Sequence, residues 1–198
     1  YMIMRMNKTE VVYKGKMFEV IQWEGTPGKT FEAAVRAPGI RLLIESGSGL
    51  RMTRELRRES EGYDYRLPGG KVFDTLEEYA IARGSMTETD RAHIAEKAKE
   101  AAVREAREEA GVESGEFIPL SVSKAGASVE WDLHYFLVKN AILGEQSLEE
   151  SEVGNIEIAE LSANEIFNKL VGGEIKEGRS ADMLWKWLAE NRHIQFLE

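Results

Sequence analysis

Short apolar stretches broken by glycine turns fill the first third of the chain, and longer stretches of helical period fill the middle and the end. Thr9 to Tyr13, Met17 to Trp23 and Phe31 to Arg36 carry β-branched and aromatic residues. With turns at Lys14-Gly15 and Glu24 to Thr30, they predict three strands of a small amino-terminal sheet. Ala37-Pro38-Gly39 marks a boundary, so residues 1–37 read as one subdomain and 38–198 as the main domain. Ile40 to Glu45 is mostly apolar and suits a buried strand, Gly47-Ser48-Gly49 turns the chain, and Leu50 to Leu56 predicts the returning strand. The polar stretch from there to Tyr65 predicts no element. Thr75 to Arg83 reads as a short helix and Thr89 to Ala110 as a long one, with Thr89 or Asp90 as N-cap and Gly111 just past its end. Ala95, Ala98, Ala102, Ala106 and Ala110 form a stripe of small residues that lets this helix sit close to a sheet. Glu116 to Val122, Trp131 to Val138 and Ile156 to Leu161 predict further strands, Gly144 to Glu152 an acidic loop, and Ser162 to Val171 and Ser180 to His193 closing helices. Strands and helices interleave without a repeat, which predicts an α/β (α+β) fold with a mixed sheet.

Composition narrows the class. A chain of 198 residues suits one ordinary domain with a small appendage and is long enough for a real core. Its 26 basic and 35 acidic residues give a net charge of −9, which disfavours a nucleic-acid backbone as main partner and leaves a small phosphorylated ligand open. There is no cysteine, hence no disulfide, thiolate metal site or cysteine nucleophile, in keeping with a cytoplasmic setting. No apolar run reaches membrane-spanning length. Tyr1 to Lys8 reads as a loose terminus, without the apolar core of a signal peptide.

The chemistry concentrates in two places. Leu67-Pro68-Gly69-Gly70-Lys71-Val72 is a glycine loop, and Arg104-Glu105-Ala106-Arg107-Glu108-Glu109-Ala110-Gly111-Val112 ends the long helix. Glu105, Glu108 and Glu109 lie three and four apart and share one helical face, where like charges repel by roughly a few tenths of a kcal/mol per pair. Arg104 is placed to reach Glu108, and a divalent cation compensates further. Magnesium favours carboxylate oxygen together with waters and substrate phosphates. Taken alone, an acidic helix is most simply a solvated face, and Gly69-Gly70 a strand-ending turn. Taken together they point to a cation held against a diphosphate.

Gly70, Glu96, Arg104, Glu105, Glu108, Glu109, Gly111 and Val112 resemble the signature of the Nudix hydrolases, in which a glycine and a glutamate precede Arg-Glu-apolar-x-Glu-Glu-x-Gly-apolar. The second half matches throughout. The family places its first glutamate a short step after the glycine, whereas Glu96 stands 26 positions after Gly70. An insertion at about 73–94 separates the halves, and Glu77 or Glu78 is the alternative for the first glutamate. The resemblance implies an α/β/α sandwich with a mixed sheet, plus the small amino-terminal antiparallel sheet. It implies Glu105 and Glu109 as main metal ligands, Glu108 as an additional one, the Gly69 carbonyl as a backbone ligand, and Arg104 as the residue that orients the glutamates. The cofactor implied is Mg2+, with Mn2+ as a substitute.

Beyond that signature, the three-strand amino-terminal sheet, Leu50-Arg51-Met52-Thr53-Arg54-Glu55-Leu56-Arg57, and Gly173-Glu174-Ile175 leading into the last helix are similar to the ADP-ribose pyrophosphatase branch. That similarity implies a homodimer built on the amino-terminal sheet. It implies Arg57 on a substrate phosphate, and Phe31 and Trp23 stacked on the adenine. It draws the general base from the late acidic loop, with Glu152 the best fit, Glu150 beside it and Glu130 as runner-up. The branch carries a proline where this chain has Ala125, which places other nucleoside diphosphate sugars beside ADP-ribose as substrates. The implied reaction is hydrolysis of the pyrophosphate bond to a nucleoside monophosphate and a sugar phosphate. Two alternatives stay open: a non-catalytic nucleotide-sugar-binding or regulatory module, and hydrolysis of another nucleoside diphosphate or triphosphate derivative.

Overall fold

The structure, a computed structural model, describes residues 9–25, 27–148, 150 and 153–191. These form ten strands and four helices among the described residues. The strands are β1 (Glu10–Lys14), β2 (Glu19–Glu24), β3 (Thr30–Val35), β4 (Gly39–Ser46), β5 (Gly49–Arg57), β6 (Gly62–Arg66), β7 (Val112–Ser123), β8 (Val129–Glu130), β9 (Leu133–Leu143) and β10 (Ile156–Ser162). The helices are α1 (Leu76–Arg83), α2 (Glu88–Ala110), α3 (Ala163–Val171) and α4 (Gly178–Glu190). Two compact units emerge. The first comprises the described residues up to Gly39 with Lys71–Ala98 and Val122–His134; the second comprises Ile40–Gly70, Lys99–Ser121 and the described residues from Tyr135 onward.

In the first unit the predicted three-strand meander is present as β1-β2-β3, antiparallel throughout. It is not purely antiparallel, because the short β8 adds to β3 in parallel register. Two residues of strand are too few to leave a periodic trace, which is why the sequence did not predict β8. The segment after the glycine loop belongs to this unit. Phe73, Leu76 and Tyr79 are buried, with the Phe73 and Tyr79 rings 5.6 Å apart. α1 opens on a capping box in which Thr75 accepts from the Glu78 N–H, and Glu78 accepts from the Thr75 N–H. Lys14 of β1 pairs with Glu77 at 2.9 Å, and Arg83 reaches Glu19 and Glu130 at 3.9 and 3.7 Å.

The second unit holds a sheet in the order β10-β5-β4-β9-β7, with β6 added to β5. β5 pairs antiparallel with β10 along its length, with β4 near its start and with β6 toward its end. β4 is buried over six successive residues, so both of its faces are covered. β6 was not predicted. Its alternation is sound but inverted in polarity, because Asp64 and Arg66 point inward. They are satisfied there: Asp64 accepts from the Lys176 N–H at 2.9 Å and lies 3.8 Å from Arg66, which reaches Glu59 at 3.2 Å.

Helix α2 begins one residue earlier than predicted. Thr87, rather than Thr89 or Asp90, forms its cap, accepting from the Asp90 N–H while Asp90 accepts from the Thr87 N–H at 2.8 Å. Steps of four from Ala110 reach Ala106, Ala102, Ala98 and Ile94, all buried, so Ala95 falls one position off that face and is exposed. α4 starts at Gly178, with Glu177 accepting from the Ser180 N–H, and ends at Glu190; His193 lies outside the described residues. Among the described residues, no helix is long and apolar enough to cross a membrane.

Candidate functional site

The Leu67–Gly70 stretch lies along β4 like a partial strand. The Leu42 and Ile40 N–H groups donate to the Pro68 and Gly70 carbonyls, both at 2.9 Å. Gly69 has φ +153°, and a Cβ there would stand 2.2 Å from the Ile40 carbonyl oxygen. Only glycine fits this bend. Gly70 has a different neighbour: a Cβ on it would lie 2.3 Å from the Glu105 carboxylate. The absent side chain is the space that Glu105 occupies. One residue earlier, the Gly69 N–H donates to Glu109 Oε2 at 2.6 Å. Two glutamates from the last turns of α2 thus meet the two glycines of the loop, although Glu105 stands 35 positions after Gly70 in sequence.

The three glutamates differ in depth. Glu109 is only 5% exposed, Glu105 is half-buried, and Glu108 is more open, 3.8 Å from Arg104. Arg104 donates to Glu105 Oε1 at 2.9 Å, so it does tie this face together. Burial pushes the Glu109 carboxyl up to about 8, the nearby Glu55 and Glu105 carboxylates push the same way, and the Gly69 N–H and Arg41 oppose them. The carbonyls of Glu108 and Glu109 accept from the Ser147 N–H and the Gln146 side-chain amide, which fixes the helix end to the following loop.

Two buried charged groups beside Glu109 escaped the sequence reading. Glu55 on β5 is 2% exposed and accepts from Thr53 Oγ1 at 2.6 Å, from Arg57 Nε at 2.7 Å and from Arg57 Nη2. Arg41 interrupts the apolar β4, with its Nη1 donating to the Ile40 carbonyl. Burial and Arg66 lower the Arg41 pKa, against the pull of Glu177, Glu109 and Glu55. The signal for Glu55 was available: Thr53, Glu55 and Arg57 alternate on one face of a strand. Arg41 carried no signal beyond being a charge inside an apolar run.

Arg57 is half-exposed. Burial disfavours its charge, but the Glu55 carboxylate against it outweighs that and raises its pKa. Trp23 and Phe31 face each other across β2 and β3, their rings stacked 5.9 Å apart and 17° from parallel, with Phe31 exposed. Glu130 on β8 is paired with Arg83. Glu150 is exposed, while Glu149 and Glu152 lie outside the described residues. Glu96 is exposed on α2, and Glu77 and Glu78 are engaged by Lys14 and by the α1 cap.

Among the described residues, no three histidine, aspartate or glutamate side chains converge into a ready-made metal cage. A buried glutamate and a half-buried one against a glycine backbone nevertheless fit magnesium, which completes its shell with waters and substrate oxygens.

No family model matches this sequence, and no curated protein matches it significantly. Among solved structures the chain is similar to the crystal structure of an ADP compounds hydrolase, with a TM-score of 0.66 and 17% identity over 96% of this chain and 96% of that one. At that identity the likeness establishes the fold alone: a mixed α/β architecture shared with that structure.

Proposed function

We propose that this protein hydrolyses the pyrophosphate bond of ADP-ribose or a related nucleoside diphosphate sugar, dependent on Mg2+ or Mn2+. The observation that carries the reading is the seating of Glu105 and Glu109 against Gly70 and Gly69. A buried carboxylate beside like charges costs stability unless a cation answers it, and the glycines let the Glu105 and Glu109 carboxylates close onto the loop backbone.

Glu105 and Glu109 would hold the cation, with Glu108 and the Gly69 carbonyl as further ligands and Arg104 orienting Glu105. Bound there, the cation would neutralise the diphosphate and acidify a water. In the reaction the water oxygen forms a new bond to one phosphorus as the bridging P–O bond breaks. The bridging oxygen leaves with the other phosphate, and the water's proton passes to a base. We assign the base to the acidic segment that holds Glu150 and Glu152, with Glu152 first. Arg57 binds a substrate phosphate, and Phe31 with Trp23 offers a stacking surface for the base. The homodimer is assigned to the amino-terminal sheet, whose edge strand β1 exposes Val11, Val12 and Tyr13.

Incubating the protein with a panel of diphosphate-linked nucleotides in magnesium or manganese tests this. AMP and ribose 5-phosphate from ADP-ribose, or the corresponding pair from another nucleotide sugar, is expected. Binding without turnover of any of them would favour the non-catalytic alternative.

A further inference from the structure

The second unit contains a buried carboxylate, Glu55, that lies outside the proposed metal ligands. Glu55 sits at the middle of a three-residue line on β5, with Thr53 before it and Arg57 after it on the same face. The residue is 2% exposed, and both carboxylate oxygens are engaged: Oε1 by the Thr53 hydroxyl at 2.6 Å, Oε2 by Nε and Nη2 of Arg57. Thr53 is itself fully buried, and its hydroxyl also lies 3.4 Å from the Arg66 carbonyl. Arg57, by contrast, has a side chain 39% exposed. The line thus runs from a buried anchor through a buried carboxylate to a cation that reaches solvent.

Two roles suit such a carboxylate. As a further metal ligand it would need an oxygen free to face the cation shared by Glu105 and Glu109. Its oxygens instead face a hydroxyl and a guanidinium, both hydrogen-bond donors. As a positioning residue it would need to fix a group that touches substrate, and this is what the geometry provides. Two of the five N–H donors of Arg57 are committed to Glu55, and the remaining ones are left to meet an anion in a fixed orientation. A free arginine side chain is rich in rotamers, and part of that freedom is lost on binding unless it has already been lost in folding.

We infer that Glu55 is a positioning residue that, anchored by Thr53, holds the Arg57 guanidinium ready for a phosphate of the substrate. The inference rests on the proposed diphosphate hydrolysis and names the residue behind the phosphate contact. It differs from a packing role because a packing residue supports the fold and not one side chain's affinity.

The test is a double-mutant cycle on the intact chain. Glu55→Gln keeps the shape but removes the charge, and Arg57→Ala removes the guanidinium. For the nucleotide sugar that wild type turns over best, Glu55→Gln should raise KM about tenfold with kcat within about twofold. Arg57→Ala should raise KM further, and the double variant should be no worse than Arg57→Ala alone. The magnesium concentration giving half-maximal rate should be unchanged in Glu55→Gln. Additive losses, an unaltered KM, or a raised magnesium requirement would each overturn the assignment, the last by making Glu55 a ligand. Should Glu55→Gln fold poorly, Thr53→Val, which removes only the anchoring hydroxyl, must show the same KM-selective change or the inference fails. A wild-type protein that neither cleaves nor binds any diphosphate-linked nucleotide would be a separate result: it overturns the proposed function and takes this role with it. A cleaving wild type with an indifferent Glu55→Gln overturns the positioning role alone.

Discussion

Two glutamate-bearing stretches of this chain meet opposite environments. Around α1, Glu77 pairs with Lys14 and Glu78 closes a capping box, both near the start of a helix. Lys14 lowers the Glu77 pKa, and Asp90 is likewise lowered by its hydrogen bonds to Thr87 at the start of α2. Each charge sits at the positive end of a helix dipole. At the other end of α2, Glu105, Glu108 and Glu109 crowd the last turns, where the dipole is negative and arginine or lysine is the favoured residue. There Glu109 is buried and pushed up to about 8. The first stretch uses carboxylates to stabilise the fold. The second holds them against their electrostatic preference, an arrangement that the proposed cation would relieve.

The sharpest way to break this contrast is Glu109→Gln. If the buried carboxylate serves a cation, turnover should fall roughly a thousandfold or more, because charge stabilisation at the reacting phosphates is lost. The metal-free variant should be at least as stable as wild type, since the cost of burying an ionisable carboxyl has gone. Steady-state rates with thermal melts in chelator check both halves. Full turnover at saturating magnesium would remove Glu109 from the metal site.

Stability against pH sharpens the same point. The folded pKa of Glu109 lies above its ordinary value of 4.5, so between about 4.5 and 8 the unfolded chain releases this proton while the folded chain retains it. Its contribution therefore turns unfavourable as pH rises through that window and reaches its full cost, a few kcal/mol, above about 8. Metal-free protein should melt at lower temperature at pH 8.5 than at pH 6, and Glu109→Gln should lessen the slope. Magnesium should raise the melting temperature more at the higher pH.

The two glycines separate fold from chemistry. At Gly70→Ala the new methyl meets the Glu105 carboxylate, the far end of a flexible side chain, which has to move. Activity should fall about a hundredfold, the usual cost of roughly 1 Å of misplacement, with little change in melting temperature. At Gly69→Ala the methyl meets the Ile40 backbone and the residue is forced to φ +153°. That variant should lose about 1–3 kcal/mol of stability as well as activity.

Sequence carried this contrast unevenly. The order of most strands and all four helices followed from apolar periodicity, and the loop with its three glutamates followed from motif and spacing. β6 was hidden because its inward residues are Asp64 and Arg66, whose burial is offset by partners distant in sequence such as Lys176. β8 was too short to register. Glu55 and Arg41 were passed over because a charge in a strand reads as an exposed one until its neighbours are known. The insertion could be located by counting residues, but its attachment through Lys14, Glu19 and Glu130 is tertiary and left no local trace.

The smallest expected effect probes the other side of the comparison. Thr75→Ala removes the hydroxyl that accepts from the Glu78 N–H, and with it the reason for Glu78 to fold back onto the Thr75 and Asp74 N–H groups. Loss of such a cap costs about 1 kcal/mol. The melting temperature should drop by a few degrees, as about 1 kcal/mol does in a domain of this size, while kcat and the magnesium requirement hold. With the same magnesium requirement in Glu78→Gln, that outcome marks Glu78 as structural and rules it out as the alternative to Glu96 in the signature. A magnesium requirement that rises in Thr75→Ala, and rises again in Glu78→Gln, would instead bring this capping glutamate into the metal chemistry and dissolve the distinction between the two stretches.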